Sequence, residues 1–560
     1  MLGASQVSGV ARLLVLALAL SALLLAGCGG AGLEQVRLDN GPVVGTVAEV
    51  DGRQVWAFKG IPYAAPPVGD LRWEAPQPVD DWSEPRDCSQ YGPSCPQSTM
   101  LSGLPFSTGD TDEDCLYLNV WSPARGADEG LPVMVWIHGG SFETGSGSMG
   151  IYEGSRLAAR GMVVVTMNYR LGPFGFLSHP DLSAESESGT SGNYGLLDQI
   201  EALQWVQRNA GAFGGDPGNV TVFGESAGGI SILDLMVSPS AEGLFQRAIV
   251  QSGVLMDQGF GMSMAATQEE AETSGVAFAE RLGVDPDSDA AEQMRAKTAG
   301  ELLEAARVST GGTTGGTHDM ERILVWKPVV DGQVLPAMPT KLWMEGSYHR
   351  VSLMIGSNAD EGDLFTFATV MSRQEYEDQV QKTFAGHADE VLALYQDESL
   401  ESPTQAINRI LTEMGFASSA RFAARLMAGG PADPAEQPPE TDDGAAEAAP
   451  PVYLYEFTYS PLVPLMGAFH AVELPYVFGT IDELSWLLAA GAESEEFSDT
   501  VMGYWTRFAA TGDPNGGEAP YWPSYDVDTD LHLSLGETIG TGSGLYEQAC
   551  DLADRIRGWK

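Results

Sequence analysis

The sequence predicts an α/β fold, with a large, twisted and mostly parallel central sheet, helices on both faces and long inserted loops. Residues 131–137, 161–167 and 219–223 are continuous apolar runs rich in β-branched side chains, a pattern typical of strands buried on both faces. Between the last two runs, residues 196–209 carry apolar side chains at helical spacing. The order strand, helix, strand is that of a doubly wound parallel sheet.

The flanking segments extend this unit. Residues 43–47 and 54–58 read as two strands around the turn pair Asp51-Gly52, which predicts a hairpin. From residue 429 to residue 451 the chain turns to Pro, Ala, Asp and Glu, so we interpret this stretch as a flexible insert that cannot build a core. A strand is predicted directly after it, and residues 41–560 are therefore interpreted as a single domain.

The first 27 residues are typical of an export signal. Arg12 precedes an apolar run, residues 13–25, that is too short to span a bilayer comfortably. Residues 25–28 (Leu-Ala-Gly-Cys) resemble a bacterial lipobox, in which the cysteine thiol receives a diacylglycerol. We expect a signal peptide over 1–27, a tether over 28–40, and a lipid on Cys28 that anchors the protein at the outer membrane or cell surface. The alternative is a plain secretory signal with an incidental cysteine, and either signal takes the protein out of the cytoplasm.

Composition limits the class of partner. The chain has 560 residues, of which 43% are hydrophobic and 19% charged, as in ordinary globular proteins. The formal net charge is −48, which argues against nucleic acid or anionic lipid as a partner of the folded surface. Membrane contact is therefore expected only through the anchor. Acidic surfaces of this kind keep halophilic proteins soluble, so a saline habitat is a reasonable inference.

Five cysteines fit an extracytoplasmic compartment. With Cys28 assigned to lipid, Cys88, Cys95, Cys115 and Cys550 remain, and an even number outside the cytoplasm predicts two disulfides. Three connectivities are open at this point.

The motif Gly224-Glu225-Ser226-Ala227-Gly228 directly follows a predicted strand and precedes a helix-like segment, residues 230–236. In a chain with 67 glycines the bare pattern is weak, but strand before and helix after are the context of a nucleophile elbow. The two glycines permit a sharp turn without a clash, which leaves the serine hydroxyl exposed at the edge of the sheet. Ser226 is therefore the predicted nucleophile.

A serine hydroxyl needs a base to remove its proton and a carboxylate to orient that base. Five histidines follow Ser226 in the chain: His318, His349, His387, His470 and His532. His470 lies in a loop after a strand, where functional residues belong, whereas His532 sits in an alternating stretch and is expected to face solvent. Asp360 and Glu361 end the predicted strand 351–355 in the same way. We favour Glu361, although spacing alone barely separates the two.

Residues 138–142 (His-Gly-Gly-Ser-Phe) follow the strand 131–137 and match a glycine-rich oxyanion loop. The oxyanion of a tetrahedral intermediate requires preorganised N–H donors. The amides of this loop and of Ala227 are the candidates. A simple glycine turn would be preferred only in the absence of the elbow.

Together these motifs resemble the type-B carboxylesterase family, which includes cholinesterases, liver carboxylesterases and bacterial para-nitrobenzyl esterases. The resemblance runs from Gly45 to Cys550. The matching segments are residues 58–64, 71–73, 113–120, 168–172, 174–177, 193–199, 213–217 and 251–253.

The resemblance implies an α/β-hydrolase fold and a set of site residues. The triad would be Ser226, Glu361 and His470, which selects Glu361 over Asp360. The oxyanion donors would be the amides of Gly140, Ser141 and Ala227, with Gly139 supporting the loop. The implied disulfide is Cys95–Cys115, the implied buried ion pairs are Arg72–Glu113 and Arg170–Asp198, and Cys88 and Cys550 would be left to pair.

The sequence departs from the family at two places. Ser141 stands where relatives often have glycine or alanine, and only its backbone N–H is needed. The segment between Cys95 and Cys115 lacks the cation-binding tryptophan of cholinesterases, so a choline ester is not the expected substrate.

We conclude from the sequence that the chain is a serine carboxylesterase acting on a small-molecule ester without a metal or organic cofactor. Neuroligin-like relatives keep the fold for adhesion but lose the nucleophile, and an intact triad disfavours that function. A specialised hydrolase of polyesters, lipids, carbamates or phenolic esters is a further alternative.

Overall fold

The computed structural model describes residues 32–97, 107–256, 263–309, 325–366, 369–396, 402–429, 449–460, 467–484 and 491–559. The predicted signal peptide, Cys28, the first residues of the tether, His318 and residues 430–448 of the predicted insert lie outside this part of the chain. Within it, no helix has both the length and the apolar character needed to cross a membrane.

An eleven-stranded mixed sheet dominates the described structure, and its strands are ordered β16-β15-β14-β13-β10-β9-β7-β8-β6-β4-β3. The strands from β15 to β8 in this order are parallel to their neighbours, and antiparallel strands extend both edges. The remaining strands form two small sheets, β1-β2-β5 and β11-β12. The strands are β1 Gln35–Arg37, β2 Pro42–Val44, β3 Thr46–Val50, β4 Arg53–Pro62, β5 Arg86–Asp87, β6 Tyr117–Ser122, β7 Leu131–Ile137, β8 Val163–Met167, β9 Gly215–Glu225, β10 Arg247–Gln251, β11 Ala266–Thr267, β12 Val329–Val330, β13 Ser352–Asn358, β14 Val452–Phe457, β15 Leu531–Leu535 and β16 Gly540–Ser543.

Helices cover both faces of the sheet, as the sequence predicts. The α-helices span Ser155–Ala159, Gly172–Phe176, Pro180–Glu185, Tyr194–Asn209, Ala227–Leu235, Gln268–Arg281, Ala290–Arg295, Ala299–Ser309, Pro339–Met344, Gly362–Thr366, Arg373–Thr383, Ala388–Leu394, Pro403–Arg409, Ser418–Gly429, Leu474–Phe478, Ala492–Thr511 and Glu547–Ile556. A π-helical segment, Ile410–Ala417, joins two of them. Gly429 is thus the last residue of a helix and not part of a loop.

The central strands are apolar throughout because each buries both of its faces. In β7, Val133, Val135 and Ile137 join one hydrophobic core, whereas Met134 and Trp136 join a second core on the opposite face. Successive side chains of a strand point to opposite sides, so a continuous apolar run places a core on each side. This pattern confirms the interpretation of residues 131–137.

The predicted hairpin forms between β3 and β4, where Val50 pairs with Arg53 across the turn Asp51-Gly52. Both turn residues have positive φ, 51° and 74°, as a two-residue hairpin turn requires. The first predicted strand, residues 43–47, is divided between two strands. Val43 and Val44 belong to β2 and pair with β1, and β3 begins at Thr46.

The cysteines form one disulfide in the described structure. Cys95 is bonded to Cys115, with their Cα atoms 5.0 Å apart. The expected pairing of Cys88 with Cys550 is wrong, since both thiols are free and buried. They belong to separate elements. Cys88 directly follows β5, and its amide donates to the Val44 carbonyl, whereas Cys550 lies in the carboxyl-terminal helix with its sulfur against the carbonyl of Leu545, which precedes that helix. Burial raises the pKa of each thiol to about 12, so both stay protonated at neutral pH.

Candidate active site

Ser226 occupies the turn between β9 and the helix Ala227–Leu235. Its backbone has φ 55° and ψ −120°, a conformation that costs a non-glycine residue roughly 1–3 kcal/mol. Two backbone hydrogen bonds hold it, one from Ser226 N to Gln251 O (3.0 Å) and one from Ile230 N to Ser226 O (2.8 Å). The strain keeps the side chain partly exposed at the carboxyl edge of the sheet.

The two glycines of the elbow are required by a close approach of the neighbouring strand. A Cβ on Gly228 would lie 2.0 Å from the carbonyl oxygen of Ile137, the last residue of β7. A Cβ on Gly224 would lie 2.7 Å from the same oxygen. Neither glycine has a positive φ, so steric contact explains the motif.

Glu361 and His470 meet beside the elbow. Glu361 Oε2 lies 2.5 Å from His470 Nδ1, and both side chains are buried. The other carboxylate oxygen accepts hydrogen bonds from Ser252 Oγ (2.5 Å) and from the amide of Asn358 (2.8 Å). Three contacts therefore fix the carboxylate, and the Nδ1–H donated to it leaves Nε2 as the nitrogen that accepts a proton whenever the ring is neutral.

Asp360, unlike Glu361, does not form its hydrogen bonds with His470. Its Oδ2 accepts a hydrogen bond from the amide of Ala468 (2.8 Å), and its own amide donates to the Ala468 carbonyl (3.0 Å). Asp360 thus ties the loop that carries His470 to the end of β13, while Glu361 contacts the imidazole. The choice of Glu361 agrees with this geometry.

The other histidines downstream of the elbow that the structure describes contact different groups. His349 lies 2.7 Å from the Ser238 carbonyl, and His387 lies 2.9 Å from Glu390. His532 does not face solvent as expected; it is buried on β15, and its ring covers Gly542 of the paired strand β16. An alternating pattern does not reveal that a strand near the edge has both faces covered.

Glu225 is a site residue that the sequence reasoning did not single out. Its Oε1 lies 3.0 Å from His470 Nε2, and the side chain is buried. Among the described contacts, no hydrogen bond joins Ser226 to His470. Nε2 is instead directed at Glu225, the residue directly before the serine. Burial alone disfavours the charged imidazolium, but the carboxylates of Glu225 and Glu361 raise the pKa of His470 well above its ordinary value. The sequence signal that could have identified Glu225 is an acidic residue inside a motif of otherwise small side chains.

A further buried carboxyl, Glu473, lies next to this group. Its oxygens accept hydrogen bonds from Gln251 Nε2 (2.9 Å) and Asn358 Nδ2 (2.7 Å). Burial, with a further contribution from the charge of Glu225, raises the pKa of Glu473 to about 8. Glu473 therefore stays largely protonated at neutral pH, which limits the negative charge around His470.

Two aromatic rings flank the imidazole. The ring centroids of Phe365 and Phe416 each lie 5.0 Å from that of His470. Phe416 comes from the π-helical segment, a rare conformation that is frequent at functional sites. The rings confine the imidazole and exclude water from one side of it.

The glycine-rich loop after β7 lies against the elbow. A Cβ on Gly139 would come within 3.1 Å of Ser226 Cβ and 2.7 Å of the Glu225 carbonyl oxygen. Gly140 and Ser141 have φ of 108° and 57°, so the chain turns sharply there. In the described structure, the amides of Gly140, Ser141 and Ala227 donate no hydrogen bond to other protein groups, as expected for donors kept for a ligand.

The two ion pairs implied by the resemblance are present. Arg72 contacts both oxygens of Glu113 at 2.6 Å. Arg170 contacts the two oxygens of Asp198 at 2.7 and 2.8 Å, and this pair is fully buried. Such bidentate pairs fix the relative orientation of the two side chains and of the segments that carry them.

Comparison with known proteins shows similarity to carboxylesterases along nearly the whole chain. The model of the carboxylesterase family matches residues 33–553. The para-nitrobenzyl esterase of Bacillus subtilis (strain 168) is 40% identical over 501 residues, which are 87% of this chain and 92% of that protein. The fumonisin B1 esterase of Sphingopyxis macrogoltabida is 36% identical and covers 90% of this chain and 87% of its own length.

Solved structures of para-nitrobenzyl esterases have the same fold. A thermophilic para-nitrobenzyl esterase superposes with a TM-score of 0.77 at 36% identity, covering 93% of this chain and 99% of the other. Another para-nitrobenzyl esterase structure gives a TM-score of 0.78 at 37% identity, over 92% of this chain and 99% of the other. Because the family model and these relatives match nearly the whole chain, the chain belongs to the carboxylesterase family and is a serine carboxylesterase.

Proposed function

We propose that Ser226, His470 and Glu361 form the catalytic triad that hydrolyses a small-molecule carboxylic ester. Ser226 Oγ attacks the ester carbonyl while His470 takes its proton, and the alcohol leaves with that proton. Water then attacks the acyl-enzyme by the same route. The observation that supports this most is the 2.5 Å contact of Glu361 with Nδ1, which turns Nε2 towards the elbow. Hydrolysis of 4-nitrophenyl esters by the wild type and the Ser226→Ala variant tests the proposal.

The proton transfer requires a small displacement of the imidazole. Nε2 is now directed at Glu225 Oε1, one residue before the serine, and must accept a hydrogen bond from Ser226 Oγ instead. Catalytic hydrogen bonds are often poorly aligned without substrate and tighten in the complex. Once the imidazole carries the proton, the carboxylates of Glu225 and Glu361 stabilise its positive charge.

The oxyanion of each tetrahedral intermediate would be held by the amides of Gly140, Ser141 and Ala227. All three belong to the loop and helix start that pack against the elbow, and the Ala227 amide lies in the first turn of its helix. Donors of this kind contribute roughly 2.7–4 kcal/mol each to the transition state. Gly139 allows the loop to approach, because no larger residue fits between it and Ser226.

Glu225→Gln is expected to shift the acid limb of the pH profile of kcat/KM to lower pH. His470 acts as a base only when neutral, and the Glu225 carboxylate raises the pKa of His470. Its removal lowers that pKa, so the neutral imidazole persists to more acidic pH. The measurement is kcat/KM for a neutral 4-nitrophenyl ester across the acid range.

The matched control for this profile is Glu49→Gln, which removes one negative charge from the exposed side of β3. Its acid limb should coincide with that of the wild type. An acid limb that stays in place, or moves to higher pH, in Glu225→Gln would contradict the role given to Glu225.

We also propose that the enzyme is a lipoprotein held at the outer membrane or cell surface by acylated Cys28. The support is the lipobox-like sequence at residues 25–28 after a short apolar run. One acyl chain binds a membrane only marginally, but two or three give stable anchoring. The ester would then be hydrolysed outside the cytoplasm.

Cys28→Ser is expected to abolish incorporation of an alkyne-tagged fatty acid and to move the enzyme from the membrane to the soluble fraction. The serine hydroxyl cannot replace the thiol that receives the diacylglycerol. The experiment uses the full chain expressed in a bacterium, with Cys88→Ser as control. Cys88 is buried and is not the proposed acylation site, so its replacement should leave labelling unchanged. Equal labelling of Cys28→Ser and the wild type would exclude the anchor.

A further inference from the structure

The loop after β7 carries an acidic side chain without a described partner. Glu143 lies two residues beyond Ser141, and its Oε1 is shielded from solvent but accepts no hydrogen bond. Among the described residues, no arginine, lysine or histidine pairs with it. A shielded carboxylate oxygen ordinarily has a hydrogen-bond donor, so this one is a candidate to receive a donor from a ligand.

Glu143 belongs to the loop that packs against the elbow through Gly139. His138 and Gly139 are buried, whereas Gly140, Ser141 and Glu143 are partly accessible. A Cβ on Gly139 would lie 3.1 Å from Ser226 Cβ, so the loop that carries Gly140, Ser141 and Glu143 begins in contact with the nucleophile. The Glu143 amide donates to the Gly140 carbonyl (3.0 Å), which holds it within one turn of the oxyanion amides.

The chemistry of the carboxyl points to one class of ligand. Burial raises the pKa of Glu143 to about 7, and no described charge offsets that burial. A cation with an N–H group would favour the ionised carboxylate and supply the hydrogen bond that Oε1 lacks. A neutral alkyl group of the same size would do neither.

We propose that Glu143 is a specificity residue that makes the enzyme prefer esters carrying a protonated amine over neutral esters of the same shape. This inference rests on the proposed function, because Glu143 acts only on an ester bound at Ser226. The contact would add a charge interaction to the hydrogen bonds that the loop amides make with the ester carbonyl. The amine would lie near the reacting carbonyl, where the loop turns back on itself.

Two isosteric substrate pairs test the preference. The first pair is 2-(dimethylamino)ethyl benzoate, which carries the amine on the alcohol side, and its neutral counterpart 3-methylbutyl benzoate. The second is the 4-nitrophenyl esters of 6-(dimethylamino)hexanoic and 7-methyloctanoic acid, with the amine on the acyl side. The quantity measured is the ratio of kcat/KM for the cationic ester to that for the neutral ester. Salt near 1 M shortens the Debye length to about 3 Å and screens the general attraction of the acidic surface for cations.

We expect the ratio to exceed one in the wild type for at least one pair, and to fall by about 10- to 100-fold in Glu143→Gln. Glu242→Gln is the control, since Glu242 is exposed before β10, at the edge of the sheet opposite the elbow, and its ratio should match the wild type. A wild-type ratio at or below one for both pairs, measurable without any variant, overturns the inference. So does a ratio that is unchanged in Glu143→Gln. Failure of the proposed function would instead appear as neutral ester hydrolysis that survives Ser226→Ala.

Discussion

Replacing Ser226 with alanine is expected to lower kcat for a 4-nitrophenyl ester by about 10⁶-fold. The alanine has no hydroxyl to form the acyl-enzyme, so only binding and the oxyanion amides remain. These groups alone leave a residual acceleration of about 10³–10⁴ over water in serine hydrolases. The fold should persist, because the elbow is held by backbone hydrogen bonds and not by the serine side chain.

The measurement is burst and steady-state release of 4-nitrophenol across esters of increasing chain length. Ser240→Ala is the matched control, since Ser240 is an exposed serine in the turn that follows the elbow helix. It should keep wild-type turnover. Wild-type turnover by Ser226→Ala would remove the catalytic assignment from this site altogether.

Replacing Glu361 with glutamine is expected to lower kcat by about 10⁴-fold, the loss seen when the acid of a serine triad becomes an amide. The amide can present its NH₂ group to Nδ1, which turns the ring into the wrong tautomer and no longer stabilises the imidazolium. Ser252 and the Asn358 amide still hold the side chain, so the geometry should be preserved.

Asp360→Asn is the comparison that separates the two adjacent acids. Asp360 accepts a hydrogen bond from the Ala468 amide and does not contact the imidazole. An asparagine oxygen can accept the same bond, so the loss in kcat should stay below about tenfold, in keeping with a neutral hydrogen bond replacing a charged one. A larger loss in Asp360→Asn than in Glu361→Gln would reverse the assignment.

The strands and the elbow could be predicted because their signals are local. A strand buried on both faces must be apolar over its whole length, and residues 131–137 match β7 residue for residue. The helix predicted at 196–209 is observed at Tyr194–Asn209, two residues longer at its start. The strand predicted from residue 161 begins at Val163, because Gly161 adopts φ 98° after the preceding helix.

The residues around His470 could not be predicted in the same way. Glu225, Glu473 and Phe416 come from the elbow, a short helix boundary and a π-helical segment, and no sequence spacing relates them. Glu225 contacts the imidazole from a part of the chain more than 200 residues away, and Phe416 from more than 50 residues away. The wrong pairing of Cys88 with Cys550 has the same origin, because counting cysteines does not show which of them meet.

The sequence by itself determined the doubly wound sheet, the elbow serine and the glycine-rich loop, since each depends on neighbouring residues and on the steric needs of one turn. Residue spacing left Asp360 and Glu361 open and only the family resemblance favoured Glu361; the tertiary structure shows that Glu361 contacts His470 and that Glu225 faces Nε2. It also decided that Glu143 lies in the loop packed against the elbow, without a described partner. A hydrogen bond requires its atoms to lie about 3 Å apart, and a charge interaction weakens as the distance grows, so only the folded arrangement of distant segments sets them.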